Sequence, residues 1–158
     1  MDKVPFTLSG LEKVKLELDN LKKIERPQII QAISVAREHG DLKENAEYHA
    51  AREEQGLNEA RIRELEEVLS ISQVVEYKTM GVEDRVIFGS TVTIKDLESE
   101  VIKTYQIVGD AEADIERNTI SFTTPMARSL IKKELGEFVE VETPGGMKEY
   151  EITEIKLI

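Results

Sequence analysis

The sequence contains no cysteine among its 158 residues. This absence excludes a disulfide framework, a thiolate metal site and a cysteine nucleophile, and it is consistent with a reducing compartment. No apolar run is long enough to span a bilayer, and the first five residues lack the apolar core of a signal peptide. These absences predict a soluble, cytoplasmic protein with no membrane partner.

Motifs for catalysis and phosphate binding are also missing. The chain has no glycine-rich phosphate loop, no nucleophile elbow and no pair of metal ligands at helical spacing. Its net charge of -11 repels phosphate backbones, which argues against autonomous, salt-driven binding to duplex nucleic acid. A hydrophobic content of 40% is nevertheless enough for a modest core, so the chain is expected to fold.

The first half of the chain is rich in the helix-favouring residues Glu, Lys, Leu and Ala. Gly40 is a natural helix stop and Asp41 a natural helix start, so the pattern predicts two antiparallel helices joined by a short turn. Ser9 and Glu12 have the spacing of a capping box, and Pro27 predicts a bend in the first arm. The apolar stripe of the first arm recurs at steps of three, four and three, as Leu11, Val14, Leu18 and Leu21.

From about residue 74 the hydrophobic period changes to two, which is typical of half-buried strands. Pro125 predicts the first position of one short helix, ending near Lys133. The fold class is therefore α+β in two domains: an antiparallel coiled-coil hairpin over residues 1–75, with an acidic tip at 40–45, and an antiparallel sheet domain with one short helix over residues 76–158. The predicted strands are residues 85–88, 91–94, 105–108, 119–122, 138–142 and 150–155.

Two acids at the predicted turn are the first candidate site. Asp41 and Glu44 lie three residues apart, so both carboxylates can lie near one end of the hairpin. One interpretation is a capping box, with Asp41 as the cap. The other is a site for a hard cation such as Mg²⁺, which takes one or two protein carboxylates and relies on other molecules for its remaining ligands. Spacing alone leaves both interpretations open.

Basic and imidazole groups surround these acids. Arg37 and Arg52 add positive charge, which is either a solvated helix face or a contact for a nearby phosphate. His39 and His49 flank the turn on opposite arms. They lack the spacing of a helical zinc pair, so a structural or partner-contact role is favoured over a metal cluster.

Residues 36–53 closely resemble the signature of the bacterial Gre family of transcript-cleavage factors, and of its GreA type in particular. The similarity runs in order and at family spacing from about Phe6 to the C-terminus. Further matching segments are residues 85–89, 107–110, 112–114, 124–128 and 143–146.

The resemblance implies a coiled-coil hairpin followed by a domain with a fold like the FK506-binding prolyl isomerases (FKBP-like). It implies a partner, bacterial RNA polymerase that has slid backward, with the hairpin reaching through the secondary channel to the catalytic Mg²⁺ so that the polymerase cleaves its own RNA. On the matching positions, Asp41 and Glu44 are the tip acids that share the second Mg²⁺ with the polymerase. The free protein, a monomer by expectation, would bind no Mg²⁺ tightly.

The same resemblance places further roles on matching residues. Arg37 and Arg52 would lie near the nascent RNA 3′ end, while the polymerase-docking surface would include Asp110, Asp114, Pro125 and Arg128. The factor would then be an activator of cleavage and not itself an enzyme. Two other interpretations remain: a polymerase inhibitor that occupies the channel without promoting cleavage, and a coiled-coil adaptor or chaperone without metal chemistry.

Overall fold

The computed structural model describes residues 3–158. They form two compact units. One comprises residues 11–72, and the other joins the described residues before Leu11 to residues 73–158. The segment that precedes the first long helix therefore groups with the C-terminal sheet. Within the described part of the chain, no helix is both long and apolar enough to cross a membrane.

The helical unit is a hairpin. Its first arm consists of α1 (Leu8–Asn20), a π-helical segment (Leu21–Glu25) and α2 (Arg26–Glu38), and its second arm is α3 (Ala46–Ile71). The side-chain contacts between the arms show that they are antiparallel, because residue numbers rise along one arm as they fall along the other. Examples from the tip towards the base are Asn45 with Ala36, Glu59 with Arg26, and Arg61 with Glu17.

A narrow apolar seam holds α2 against α3. Ile29, Ile33 and Ala51 are buried there, and Tyr48 packs against them. A two-helix contact leaves most of each helix in water, so charged residues cover the remaining faces.

The π-helical segment ends two residues before Pro27. Pro27 has no N–H to donate to the preceding turn, and its ring crowds that turn, which a wider turn relieves. The carbonyl of Leu21 accepts a bond from Arg26 N and a second from Asn58 Nδ2, 3.3 Å away on α3. The first arm is thus irregular in the turn before the proline, while the bend predicted at Pro27 stays a prediction.

The start of α1 differs from the predicted capping box. Thr7, and not Ser9, caps this helix, because Thr7 Oγ1 accepts a bond from Gly10 N at 3.1 Å. Thr7 in turn donates from its N–H (2.8 Å) and from its hydroxyl to the Glu112 carboxylate. Glu112 also accepts from Gly109 N at 3.1 Å. Thr7 is therefore held as the capping residue by the carboxylate of Glu112, which is distant in the sequence. The local spacing of residues gives no sign of this contact.

The second unit is built on a five-stranded sheet with the order β5-β4-β3-β7-β6, and β1 and β2 form a separate two-stranded sheet. A short helix, α4 (Pro125–Leu130), lies between β5 and β6 in the chain, and Thr124 caps it as a bond acceptor from Ala127 N. The strands are β1 (Val4–Phe6), β2 (Ser72–Val74), β3 (Thr91–Asp96), β4 (Ile102–Val108), β5 (Thr119–Ser121), β6 (Phe138–Thr143) and β7 (Gly146–Lys156).

The prediction of an α+β chain with a helical hairpin and a sheet domain is confirmed, with a correction to the strand directions. Three of the four neighbouring pairs are antiparallel, but β4 and β5 run parallel, with Ile107 opposite Ile120. The connection between them carries two 3₁₀ turns, Asp110–Glu112 and Ile115–Arg117. It is long enough to return the chain to the same end of the sheet, as a parallel pair requires.

The predicted strand at residues 85–88 is wrong. Only Arg85 makes a bridge, to Glu134, and Val86 is tied to the segment after α4 through Lys133 O and Lys132 N. The alternating pattern there arises because Val86 is fully buried in the core, whereas its neighbours are partly exposed. A buried loop and a strand share this pattern over four residues.

Candidate functional site at the hairpin tip

A seven-residue loop joins the two arms. Helix α2 ends at Glu38, and Gly40 takes a left-handed conformation with φ of 96° that a residue with a side chain rarely adopts. Asp41 and Glu44 both lie in this loop and are exposed to solvent. The structure therefore brings the two predicted acids to one end of the hairpin.

The capping-box interpretation of these acids is wrong. Helix α3 begins at Ala46, and its cap is Asn45, whose Oδ1 accepts a bond from Tyr48 N at 3.0 Å. Asp41 lies too early to cap this helix, and the Glu44 side chain makes no hydrogen bond or ion pair within residues 3–158. Helix capping therefore does not account for the presence of either acid at the tip.

Asn45 has a second role that sequence reasoning missed. Its Nδ2 donates to Ala36 O at 2.6 Å, in the last turn of the opposite arm. A carbonyl only accepts and a backbone N–H only donates, so these two partners together require an amide, with its nitrogen and oxygen in this orientation. Asn is a preferred cap, and its position just before Ala46 was the available signal. The cross-arm bond had no local signal.

The loop itself is held through the main chain of Lys43. Its N–H donates to Asp41 Oδ1 at 3.0 Å, and its carbonyl lies 3.1 Å from His49 Nε2 on the first turns of α3. His39 makes a different contact, with its Nε2 3.7 Å from a carboxylate oxygen of Glu47. Both histidines contact neighbouring parts of the hairpin.

Arg37 and Arg52 lie on opposite arms and line one shallow groove near the tip. Arg37 also stacks over the Tyr48 ring, with its guanidinium carbon 5.8 Å from the ring centroid. The remaining residues of this groove are Ile30, Ile33, Ser34 and Gln55. The two predicted basic residues are therefore close enough to act on the same ligand.

The donor set at the tip suits a hard cation. Carboxylate oxygens are the ligands that Mg²⁺ prefers, and Asp41 keeps one oxygen without a hydrogen bond in the described structure. Across residues 3–158, however, no group of three or more His, Asp and Glu side chains is arranged to hold a metal ion. Two carboxylates fit a shared site that another molecule completes, and they fit a self-sufficient site poorly.

The four predicted docking residues are all exposed on the sheet unit. Asp110 begins the 3₁₀ turn after β4 and accepts a long bond (3.5 Å) from Thr123, two residues before Pro125. Asp114 caps the next turn by accepting from Glu116 N at 3.0 Å. Arg128 lies in the last turn of α4.

One of these four residues, Pro125, lines a shallow groove. Ile115, which follows Asp114, also lines it. The connection after β4 and the start of α4 thus both contribute to one groove, although they are distant in the sequence. The docking role of the four residues stays a prediction.

Comparison with known proteins gives matches along nearly the whole chain. A family model described as "Transcription elongation factor, N-terminal" matches residues 4–74, and one described as "Transcription elongation factor, GreA/GreB, C-term" matches residues 81–157. Transcription elongation factor GreA of Legionella pneumophila (strain Lens) is 54% identical over 158 residues, covering 100% of this chain and 99% of the relative.

Two further relatives cover similar lengths. Transcription elongation factor GreA of Alkalilimnicola ehrlichii is 54% identical over 156 residues, covering 99% of each chain. Among solved structures, GreA factor homolog 1 (Gfh1) of Thermus thermophilus is 26% identical and covers 98% of this chain and 99% of that one, with a TM-score of 0.44. The full-length identity to the two GreA proteins and the two family matches show that this chain belongs to the GreA/GreB family of transcription elongation factors.

Proposed function

We propose that this protein stimulates the intrinsic, Mg²⁺-dependent cleavage of backtracked RNA by bacterial RNA polymerase, and so rescues arrested elongation complexes. The observation that carries this function is the pair of exposed carboxylates, Asp41 and Glu44, in the turn of a long helical hairpin of a GreA/GreB family chain. Neither carboxylate caps a helix, so helix capping does not explain either of them.

The hairpin has the dimensions of a probe. Helix α3 contains 26 residues, which corresponds to about 39 Å at 1.5 Å per residue. In the proposed complex this hairpin enters the secondary channel of the polymerase. The surface that carries Asp110, Asp114, Pro125 and Arg128 docks at the mouth of the channel.

The tip acids would act on the second Mg²⁺ of the polymerase active centre. When bound, that ion supplies charge stabilisation to an oxygen of an in-line displacement at phosphorus. Asp41 and Glu44 contribute anionic oxygens that raise the occupancy of the ion and orient a water molecule. Because the tip offers only two carboxylates, the free protein is expected to bind Mg²⁺ weakly.

Arg37 and Arg52 would meet the extruded RNA. Their shared groove lies on the hairpin close to the tip, and a guanidinium can pair with a phosphate through two parallel hydrogen bonds. The net charge of the whole chain is -11, so this local pair would act only on RNA that the polymerase already holds.

In this mechanism the protein is an activator and not an enzyme, because the polymerase performs the hydrolysis. A single hairpin in a single channel requires only a monomer, and bacterial transcription places the protein in the cytoplasm. The family resemblance implies a prolyl-isomerase-like fold for the sheet domain, but a shared fold would not confer isomerase activity.

The test is RNA cleavage in a stalled, backtracked bacterial elongation complex. We compare the wild type with the double variant Asp41→Asn, Glu44→Gln, which keeps the side-chain shapes but removes both charges. The expected result is release of short 3′ fragments by the wild type and a loss of about 100-fold or more in the variant, as is typical when groups that stabilise transition-state charge are removed. Polymerase binding and the free energy of unfolding should change little, since both side chains are exposed.

A matched control removes two charges elsewhere on the hairpin. Glu53 and Glu54 are exposed on α3, away from the loop, so the double variant Glu53→Gln, Glu54→Gln should cleave like the wild type. A tip variant as active as this control would contradict the proposed role of the acids. A wild type that binds polymerase without stimulating cleavage would indicate the channel-occupying inhibitor, and one that does not bind would indicate an adaptor or chaperone.

A further inference from the structure

Lys43 lies between the two tip acids, and both polar groups of its main chain are hydrogen-bonded. The N–H donates to Asp41 Oδ1 at 3.0 Å, and the carbonyl lies 3.1 Å from His49 Nε2. A carbonyl oxygen only accepts, so His49 carries a proton on Nε2 and donates it in this bond. A continuous chain of bonds therefore runs from the His49 ring through Lys43 to the Asp41 carboxylate.

The two bonds act on different peptide planes. The carbonyl of Lys43 belongs to the peptide that joins it to Glu44, and this peptide is rigid and planar. Fixing that carbonyl fixes the N–Cα bond of Glu44, so that only rotation about this bond is left to set where its side chain leaves the backbone. The N–H of Lys43 belongs to the preceding peptide and orients the carboxylate of Asp41. One histidine thus influences both acids without contacting either.

His49 is well placed to act as a fixed support. It lies within the first turns of α3, where its N–H donates to Asn45 O at 3.1 Å. Its ring meets the edge of the half-buried Tyr48 ring, with centroids 5.6 Å apart and planes at 66°. The four loop residues from Asp41 to Glu44 are all exposed, so packing alone does not hold them.

We infer that His49 is a positioning residue for Asp41 and Glu44, acting through the main chain of Lys43. This inference rests on the proposed function and deepens it. An ion shared between two molecules needs ligands held in a set direction, because a loop that must become ordered on binding loses conformational entropy.

The activity test compares His49→Ala with His49→Gln in the backtracked complex. Gln has a side-chain N–H that can reach a carbonyl, whereas Ala has none. At saturating factor, His49→Ala should lower the maximal cleavage rate about ten-fold, as is typical for residues that orient metal ligands, and His49→Gln should recover most of it. The factor concentration that gives half-maximal cleavage should not change, because His49 is not part of the docking surface.

The other histidine of the tip supplies the control. His39 is exposed and contacts Glu47, not the loop acids, so His39→Ala should retain the wild-type rate. A His49→Ala variant with the wild-type rate would overturn the inference. So would one that raises only the half-maximal concentration, since that result would indicate a contact with polymerase.

A second measurement needs no polymerase. Backbone ¹⁵N relaxation of the free protein should show lower order parameters for residues 41–44 in His49→Ala, with recovery in His49→Gln. Unchanged order parameters would overturn the inference whatever the cleavage assay shows. If the wild type stimulates no cleavage, the proposed function fails, and the relaxation data alone then decide whether His49 orders the loop.

Discussion

The hairpin and the sheet domain are stabilised in different ways. In the sheet domain, twelve buried hydrophobic residues form one cluster, among them Ile107, Leu130 and Ile152, none of which is exposed at all. On the hairpin, a cluster of three buried residues lies between α2 and α3, namely Ile29, Ile33 and Ala51, and four others are buried elsewhere along the arms: Leu11, Ala36, Ile62 and Leu65. Both sets of buried residues are those found within residues 3–158. A sheet covered by a helix can enclose a core, whereas two helices can bury only one stripe each.

The hairpin compensates with polar contacts between its arms. Arg26 and Glu59 form a two-bond ion pair at 2.7 and 2.8 Å, and Arg61 pairs with Glu17 at 2.9 and 3.1 Å. Ion pairs in contact with solvent contribute little to stability and are weakened by salt. The sheet domain is therefore stabilised mainly by its closed core. In the hairpin, directional polar bonds hold the two helical arms in register.

The largest difference in the free energy of unfolding should come from replacing one buried isoleucine by alanine in each region. Ile152 is fully buried in a closed core, so Ile152→Ala should lower the free energy of unfolding by about 3–5 kcal/mol. Ile33 is 7% exposed in a narrow seam that can collapse, so Ile33→Ala should cost about 2 kcal/mol.

Native-state hydrogen exchange can assign each loss to its own region. Protection should fall in the sheet strands for Ile152→Ala and in α2 and α3 for Ile33→Ala. Equal losses in both variants would contradict the contrast between a closed core and a seam.

An intermediate effect should come from Asn45, which both caps α3 and bonds to the opposite arm. Asn45→Ala should destabilise the hairpin by about 1–2 kcal/mol, because it removes a cap and leaves Ala36 O without this donor. Asn45→Ser should recover the capping part only, since its hydroxyl is too short to reach across. Circular dichroism during chemical denaturation measures both.

Asn58→Ala is the matched control for this experiment. Asn58 also donates across the arms, to Leu21 O, but caps no helix. Its loss should therefore be smaller than that of Asn45→Ala. A larger loss at Asn58 would show that the mid-hairpin contact, and not the tip, sets the register.

The smallest effect concerns two carboxylates whose pKa values are lowered for different reasons. The Arg26 guanidinium lowers the pKa of Glu59 on the hairpin, while backbone N–H groups of Glu98 and Ser99 lower the pKa of Asp96 in the sheet domain. Each group favours folding above its unfolded pKa. That stability is lost as the pH falls through the folded pKa, which for each group lies below its ordinary value.

Salt should change the pKa values of Glu59 and Asp96 to different extents. Raising the ionic strength from about 0.01 M to about 1 M shortens the Debye length from about 30 Å to about 3 Å. The pKa of the partly exposed Glu59 should then rise towards its ordinary value, because its hydrogen-bond donor is the charged Arg26 guanidinium. The pKa of Asp96 should stay low, because its donors are uncharged backbone N–H groups. NMR titration of the two side-chain carboxyl carbons measures this, and an equal response would argue against the assigned causes.

Periodicity was enough to predict the hairpin and most of the strands. The end of the first arm at Gly40 and the beginning of α4 at Thr124–Pro125 depend only on neighbouring residues, so the local sequence was enough to predict them. The parallel β5, the cap at Thr7 and the loop around Val86 could not. Each depends on a partner distant in the sequence, such as Glu112 for Thr7.

The candidate site divides in the same way. The types and spacing of Asp41 and Glu44 identified the acids, but the same spacing also suited a capping box. Only the start of α3 at Ala46, with Asn45 as its cap, separates the two interpretations. The role of His49 was hidden because its partner is a main-chain carbonyl, which no side-chain motif reports.

The π-helical segment Leu21–Glu25 also sets the rotational phase of the first arm. A π turn holds one more residue than an α turn, and each residue of an α-helix turns the chain by about 100°. A one-residue deletion that restored a regular helix here would therefore leave the length of the arm almost unchanged. It would also leave the side chains beyond the segment pointing almost as before, because the wider turn absorbs the extra residue. A regular α-helix with the same number of residues would instead rotate those side chains by about 100° about the helix axis, and Ile29 and Ile33 would leave the seam. The wider turn is therefore part of what aligns the tip with the rest of its own arm.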